Sequence, residues 1–460
     1  AMPTINEQLQ HGWRLHQAGR VEEAEDLYRG VLARAPRNPD AWVFLGIAQF
    51  DQRLFAESVQ SYREAISLGQ RNPIAWNNLG NSLRMMGEVD ESERCLDTAL
   101  RQDPGYLSAF KNRGTLWIWS GEIRRGLHWY QQGLKINPDD AELHRNLGVI
   151  HLLLGEYDIG WPEYRWRWKM PGMYRPRAAA PIWRGENLSG KTILLYPEQG
   201  SGDAIHFVRT AAVLSGLGAT VVLQCPSELV ALFSSVPGVD RLLSDKSPIP
   251  PVDFHASLLE VVDVVYSQTG ELAHAQHLFA NRGGYLTVSD ALIEYWREWL
   301  QANTSRRRVG INWQGNPGHH ADVYRSIALN TLRPLTHIEG IDLINLQFGY
   351  GSEQLGDCDF SESIIRLPDH VDQTDGAFTD TTAIVKNLDW VVTTDTAVAH
   401  LAGAVGTDVA LLLGKVPDWR WLLKGQSTPW YPSVRLIRQS ELGCWDDVLA
   451  GAKKLLAGGP

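Results

Sequence analysis

"TILLYPEQGSGDAIHF", residues 192–207, joins a short apolar run to a turn built from glycine, serine and an acid, and then to a renewed apolar pattern. An apolar run of this length, ended by proline and glycine, reads as a buried strand, and the residues after the glycines read as a helix start. Strand, flexible turn and helix in that order present backbone to a ligand. Asp203 is the odd residue, because a carboxylate in a loop of this kind repels the phosphate such loops commonly hold.

The same grammar extends on both sides of the quoted stretch. "TVVLQC" 220–225 and "RLLS" 241–244 read as further strands, with helices expected over 203–217 and 227–236. A long helical pattern over 290–301 leads to "RRRVGINWQG", where a new strand starts. Strands are then expected at 342–348, 389–395 and 408–413, and helices at 379–388 and 396–405. Two doubly wound α/β units follow from this alternation, and their ligands belong beyond the carboxyl ends of the strands.

The N-terminal third has a different period. Gly12, Gly46, Gly80, Gly114 and Gly148 recur every 34 residues. Twelve residues after each stands a small residue, Ala24, Ser58, Ser92, Gly126 or Gly160, and four further on a large one, Tyr28, Tyr62, Leu96, Tyr130 or Tyr164. Small then large is a helix-packing pattern, in which one position lets helices approach and the other fills the groove beside it. Pro36, Pro104 and Pro138 are placed to end second helices. In spacing, small positions, aromatic positions and terminal prolines the segment resembles the tetratricopeptide repeat (TPR), which implies an all-α solenoid of five helix pairs. The concave face of such a solenoid suits a peptide or protein partner, while a dimerisation or spacing role stays open. The array ends in "GWPEYRWRWKMPGMYRPR", where Trp161, Trp166 and Trp168 alternate with Arg165, Arg167 and Lys169. That run is expected to dock the last repeat on the next domain, since aromatics with arginine are common interface anchors; carbohydrate or nucleic-acid contact is the alternative.

Length and composition agree with several domains. The chain has 460 residues, 44% hydrophobic and 21% charged, too long for one ordinary core and too apolar for disorder. A net charge of −10 argues against nucleic acid as a general partner. No apolar run approaches the ~18 residues of a membrane span, so no integral membrane contact is expected. The four cysteines lie far apart, without a C-x-x-C pair, and a cytoplasmic location with reduced thiols and no structural metal is expected.

The loops at the strand ends carry the candidate chemistry. "WQGNPGHHADVYRSI" 313–327 brings Gln314, Gly315 and Asn316 and then Arg325, whose guanidinium suits a diphosphate or a surface salt bridge. Gln347 closes the next strand. "TTDTAVAH" 393–400 turns from strand to helix, so the amides of Thr396 and Ala397 can meet a phosphate while Asp395 caps the helix. His400 lies one turn further on, either as a ligand contact or as a packing residue.

With these stretches in place, "GSGDAIHFVRTAAVL" and "TDTAVAHLAGAVG" resemble the first loop and the donor loop of the bacterial heptosyltransferase family, the family 9 glycosyltransferases, over residues 180 to 460. The resemblance implies a multidomain chain, an all-α TPR solenoid followed by an α/β GT-B unit of two Rossmann-like domains. Domains are expected at 1–175, at 176–303 on the acceptor side and at 304–460 on the donor side. It further implies inverting, metal-independent sugar transfer from a nucleotide-diphosphate sugar, a donor substrate, with no cofactor. Asp203 matches the family's catalytic base, and Gly200, Ser201, Gly202 and His206 fall on its acceptor-side loop. Gln314, Gly315, Asn316, Arg325, Gln347, Asp395, Thr396, Ala397 and His400 fall on the donor side. Ala397 stands where family donor loops often carry glycine, which leaves the sugar open. Repeats ahead of such a unit are similar to the arrangement of protein glycosyltransferases, so the acceptor is expected to be a polypeptide held by the repeats. A non-catalytic scaffold, and an enzyme of lipopolysaccharide or glycan assembly, remain alternatives. As a helix cap Asp203 needs no catalytic role, so that reading also stays open.

Overall fold

The 34-residue period resolves into antiparallel helix pairs. The structure, a computed structural model, describes residues 3–272, 284–319 and 321–458. Its helices are α1 (Ile5–Gln17), α2 (Val21–Arg34), α3 (Pro39–Asp51), α4 (Phe55–Ser67), α5 (Pro73–Met85), α6 (Val89–Gln102), α7 (Leu107–Trp119), α8 (Ile123–Ile136), α9 (Ala141–Leu153) and α10 (Tyr157–Tyr164). Successive pairs of these helices make up the N-terminal region, as the repeat period predicts. The chain divides into two units, one running to Ile150 and including Glu163–Arg167, the other made of His151–Pro162 and the residues from Trp168 onward.

The small–large pattern has a direct spatial meaning in the first unit. Each repeat glycine lies under the large residue sixteen positions on: a Cβ at Gly12 would stand 2.4 Å from the Tyr28 ring, at Gly46 2.8 Å from Tyr62, and at Gly114 2.3 Å from Tyr130. The small position faces the glycine's carbonyl. Ser58 Oγ donates to Gly46 O at 2.8 Å and Ser92 Oγ to Gly80 O at 2.6 Å, while in the fourth repeat Gly126 simply leaves no room, its missing Cβ falling 2.7 Å from Gly114 O. The second helices stop two residues before Pro36, Pro104 and Pro138, as a proline requires of the chain ahead of it. Between the two helices of each repeat one residue is left-handed. Gly19, Gly87, Gly121 and Gly155 hold that position, and Arg53 (φ 65°) holds it in the second repeat at a conformational cost glycine avoids.

The second unit is α/β, with two parallel sheets. The first contains β1 (Thr192–Tyr196), β2 (Thr220–Cys225), β3 (Arg241–Ser244) and β4 (Phe254–Ser257) in the order β3-β2-β1-β4. The second contains β5 (Arg307–Asn312), β6 (Ile341–Asn345), β7 (Ile364–Ile365), β8 (Trp390–Thr394), β9 (Asp408–Leu413) and β10 (Val434–Arg438) in the order β10-β9-β8-β5-β6-β7. Every pairing between these strands is parallel. Leu194 aligns with Val222 on one side and His255 on the other, and Val392 with Ile311 and Ala410. Central strands covered on both faces must be apolar throughout, which is why "TILLY" and "DVALLL" show no alternation.

Helices α11 (Ser201–Phe207), α12 (Thr210–Gly216), α13 (Val230–Phe233), α14 (Leu258–Thr269), α15 (Asp290–Asn303), α16 (Asp322–Arg325), α17 (Gln354–Asp357), α18 (Thr379–Lys386), α19 (Ala397–Val405) and α20 (Asp446–Ala457) connect or follow the strands. The helix expected over 203–217 is two helices. Side chains intercept its carbonyls: Arg209 Nε donates to His206 O at 2.7 Å and Thr210 Oγ1 to Phe207 O at 2.8 Å. Likewise the helix expected over 227–236 is a short 3₁₀ turn, Ser227–Leu229, followed by α13. Strands β4, β7 and β10 have no counterpart among the strands expected from sequence. Among the described residues no helix is long and apolar enough to cross a membrane.

The glycine–tyrosine contact gives a test of the repeat packing. Gly114→Ala forces a methyl into the Tyr130 ring and should cost about 1–3 kcal/mol, the usual penalty for overpacking a well-filled core. Gly30→Ala, on a helix face with nothing within 4 Å, should not destabilise. Urea midpoints of the two variants against the parent chain make the comparison.

Candidate functional site

Strand order reverses between β1 and β4 in the first sheet and between β5 and β8 in the second. The quoted loop leaves the carboxyl end of β1, the 313–326 loop leaves β5, and Asp395 follows β8. These are the positions where open parallel sheets gather ligands. The loops do not stay on separate sides. A Cβ on Gly202 would lie 3.3 Å from His400 Cδ2 and 3.4 Å from Ala397 Cα, so the starts of α11 and α19 touch, and a glycine there eases their close approach. Neither Gly200 nor Gly202 has positive φ; Gly200 is an extended N-cap (φ −69°, ψ 177°), so tight turning is not the role of these glycines.

Asp203 stands in the first turn of α11 but does not cap it. Its Oδ1 instead accepts from Arg420 Nη2, while Arg420 Nη1 donates to Asp418 Oδ1 at 2.7 Å. The Arg420 side chain is only 6% exposed and that of Asp203 keeps 23%, so the carboxylate retains an edge open to solvent. Burial pushes the Asp203 carboxyl up to about 6, with Asp418 and Glu198 adding to the rise and Arg420 and Arg325 opposing it. Asp395 is likewise pushed up to about 6, first by burial and then by Asp418. Burial works against ionisation of Asp418 too, but the charge and hydrogen bonds of Arg420 hold it below the usual carboxylate value.

Some of the residues expected on the donor side lie around Arg325. Its Nη1 donates to the Asp395 carbonyl at 3.0 Å, its Nε lies 3.5 Å from Asp322 Oδ1, and a Cβ on Gly315 would strike Nη2 at 2.6 Å. Gly315 N donates to Ser326 Oγ at 3.0 Å, and Ser326 Oγ donates to Asp322 at 2.6 Å, which fixes the loop beneath the guanidinium. Thr396 is the N-cap of α19, yet its hydroxyl turns inward to Asn312 Oδ1 at 2.8 Å. Asp395 does not cap the helix as expected from sequence. Among the described residues no side chain does, so the first-turn amides keep their capacity for an anion.

Several expected contacts are engaged elsewhere. Gln347 is buried, its Oε1 accepting from Asn312 Nδ2, Trp313 N and Gln314 N at 2.9–3.0 Å and its Nε2 donating to Gln314 O at 2.9 Å and Tyr350 O at 2.5 Å. That amide shapes the loop and has little capacity left. Gln314 accepts from Gln354 at 2.9 Å, and Asn316 forms a local turn with Gly318 N at 2.8 Å. His206 is fully buried among aromatics, with ring centroids 4.6 Å from Trp430 and 4.8 Å from His400, and does not line an open loop. His400 stacks on Trp421 at 5.3 Å, bonds the Tyr431 hydroxyl through Nδ1 at 3.0 Å, and has Nε2 3.9 Å from Asp395. Burial, and then Arg420, push its pKa down to about 3.

Asp418 and Arg420 were missed in the sequence. They follow β9 in "PDWRW", where the tryptophans read as apolar packing and hide the charges between them. The strand-end rule that selected the β1, β5 and β8 loops points to this loop as well. Of the tryptophan segment expected to dock, Trp161 packs edge-on against Trp419 at 5.5 Å within the second unit, Trp166 stacks on His144 at 3.9 Å within the first, and Arg175 covers Trp168 at 3.6 Å.

Comparisons with known proteins bear on the repeats most directly. Residues 9–73 and 73–106 match tetratricopeptide repeat family models. Protein FlbA of Caulobacter vibrioides (strain ATCC 19089 / CIP 103742 / CB 15) is 25% identical over 381 residues, 79% of this chain. An alignment of that length runs through both the repeats and the α/β region. The chain spans 63% of the length of that relative. Among solved structures the chain is similar to MamA (20% identity, TM-score 0.30, covering 34% of this chain and 92% of that one). It is also similar to a thermophilic TPR protein of Thermus thermophilus, TTC0263 (20% identity, TM-score 0.34, covering 36% of this chain and 92% of that one).

With its pKa near 3, His400 stays neutral throughout the physiological range. Its imidazole resonances, assigned with His400→Asn, should not move between pH 5 and 8. A titration there would place a charged ring beside Arg420 and contradict the burial described above.

Proposed function

We propose that the chain is an inverting glycosyltransferase that moves a sugar from a nucleotide-diphosphate donor to a hydroxyl of a polypeptide recruited by the repeats. The observation that carries the reading is the convergence of Asp203, Arg325 and the uncapped start of α19 at the reversal points of two parallel sheets. A diphosphate fits the α19 amides and Arg325, where a guanidinium and helix dipole act together. Asp203, with an exposed edge and a raised pKa, suits removal of a proton from an attacking hydroxyl. The long alignment with FlbA supports an arrangement in which repeats and α/β region work as one chain. The repeats then raise the local concentration of acceptor and take no part in the bond chemistry.

The base role fixes a pH dependence. Asp203 must be ionised to accept a proton, so kcat/KM should rise with pH through about 6 and level off above it. Turnover measured over a panel of nucleotide sugars with a hydroxyl-bearing peptide acceptor reads this directly. Asp203→Asn should lower turnover by about 10²–10⁴-fold, the usual worth of a general base, and flatten the acidic limb. A panel on which the parent chain turns over nothing would favour a binding scaffold.

Donor binding has its own test. Arg325→Ala should weaken nucleoside diphosphate affinity by about 1.5–3 kcal/mol, the range for a charged hydrogen bond. Equal affinity by calorimetry would remove Arg325 from the donor site.

A further inference from the structure

Arg420 reaches Asp203 from a segment whose backbone is strained. Leu422 has φ 57° and ψ 179°, a region occupied almost solely by glycine. A leucine stays there only if its surroundings over-determine it. Arg438, at the end of β10, supplies that constraint: Nη1 donates to Leu422 O at 2.7 Å, Nη2 to Trp421 O at 2.6 Å and Lys424 O at 3.2 Å, and Nε to Gly425 O at 2.9 Å. Among the described residues Arg438 has no carboxylate partner, so its guanidinium is devoted to one loop's carbonyls. A lysine could not grip several carbonyls in this fixed geometry.

We propose that Arg438 is a positioning residue, which clamps segment 421–425 in its strained form and thereby holds Arg420 against Asp203 and Asp418. The consequence for chemistry rests on Asp203 being the general base. Arg420 orients that carboxylate and opposes the effect of burial on it. The other charged groups facing Asp203 are Asp418 on the same loop as Arg420, Glu198 ahead of α11 and Arg325 on α16, with Asp395 and the neutral His400 beside them on the α19 side. None of these replaces Arg420, since Arg325 is engaged with the Asp395 carbonyl and Asp322. If the clamp is released, the loop relaxes, Arg420 withdraws and burial acts on Asp203 unopposed.

The test is a carboxyl titration, which needs no turnover. Full-length chain with ¹³C-labelled aspartate carboxyls, assigned through Asp203→Asn, is compared with Arg438→Ala. The Asp203 midpoint should move up by about 1–3 pH units, the usual effect of losing an adjacent opposite charge, and Arg420→Gln should move it the same way. Leu422→Gly in the Arg438→Ala background should bring the midpoint back toward the parent value, because glycine adopts that conformation without a clamp. Leu422→Gly alone should raise the melting temperature. An unchanged or lower midpoint in folded Arg438→Ala overturns the proposal, as does failure of the glycine to restore it or a Leu422→Gly variant that melts no higher than the parent. Where donor turnover is measurable, the acidic limb of kcat/KM in Arg438→Ala should follow the carboxyl midpoint upward. Absence of turnover in the parent chain would count against glycosyl transfer while the titration still decides the role of Arg438.

Discussion

A single buried guanidinium joins the parts of the candidate site. Arg420 comes from the loop after β9, Asp203 from the helix after β1, and Asp418 from the residues just ahead of Arg420. Taking an arginine out of water costs several kcal/mol, and an attraction to carboxylates offsets that only if the geometry is good and the donors find partners. Two carboxylates from two sheets meet that condition. The contact therefore couples the β1 loop to the β9 loop, and the ionisation of one group depends on the placement of the other. Burial alone would leave Asp203 protonated to a higher pH, and it is the charge of Arg420 that brings ionisation back toward the physiological range.

Much of the fold was legible in the sequence because its signals are local or strictly periodic. The repeat array announces itself through positions that cannot be otherwise: a side chain at Gly114 would enter the ring of Tyr130, and the same exclusion recurs at each 34-residue step. Strands such as β1, β2, β3 and β9 are short apolar runs bounded by glycine, proline or charge, and their limits coincide with the reading from sequence. Strand β10, "VRLIR", carries arginines that dilute the apolar signal, and β7 is only two residues long. The break between α11 and α12 depends on a buried arginine reaching Trp430 O and Tyr285, and nothing local in "FVRTAAV" discloses those distant partners.

The site was legible at the level of loops and much less so at the level of side chains. Asp203, Arg325, Asp395, Thr396 and His400 are brought together, as strand-end logic implied. Gln347 is different, because a glutamine at a strand end can face a ligand or bind its own loop, and only the partners Asn312, Trp313 and Gln314 decide between them. Gly202, whose missing side chain leaves α11 resting against Ala397, brings the Asp203 loop close to the start of α19. Sequence reasoning gave that glycine a turn to make, when its use is the space it leaves.

The groups in this region share a property that argues for function over stability. Asp203 and Asp395 are held where their charged forms are disfavoured, His400 where its charged form is nearly excluded, and Leu422 in a backbone region suited to glycine. Each arrangement costs folding free energy, and none improves packing that simpler residues could not provide. The cost is offset nearby. Trp419, Trp421, Trp430 and Tyr431 are buried around the cluster, contributing large apolar area and offset or edge-on ring contacts. That packing excludes water from the inner side of the site and strengthens the electrostatic coupling among Arg420, Asp418 and Asp203. The aromatic residues that hid the charges in the sequence are thus the reason the charges are able to act on one another in the fold.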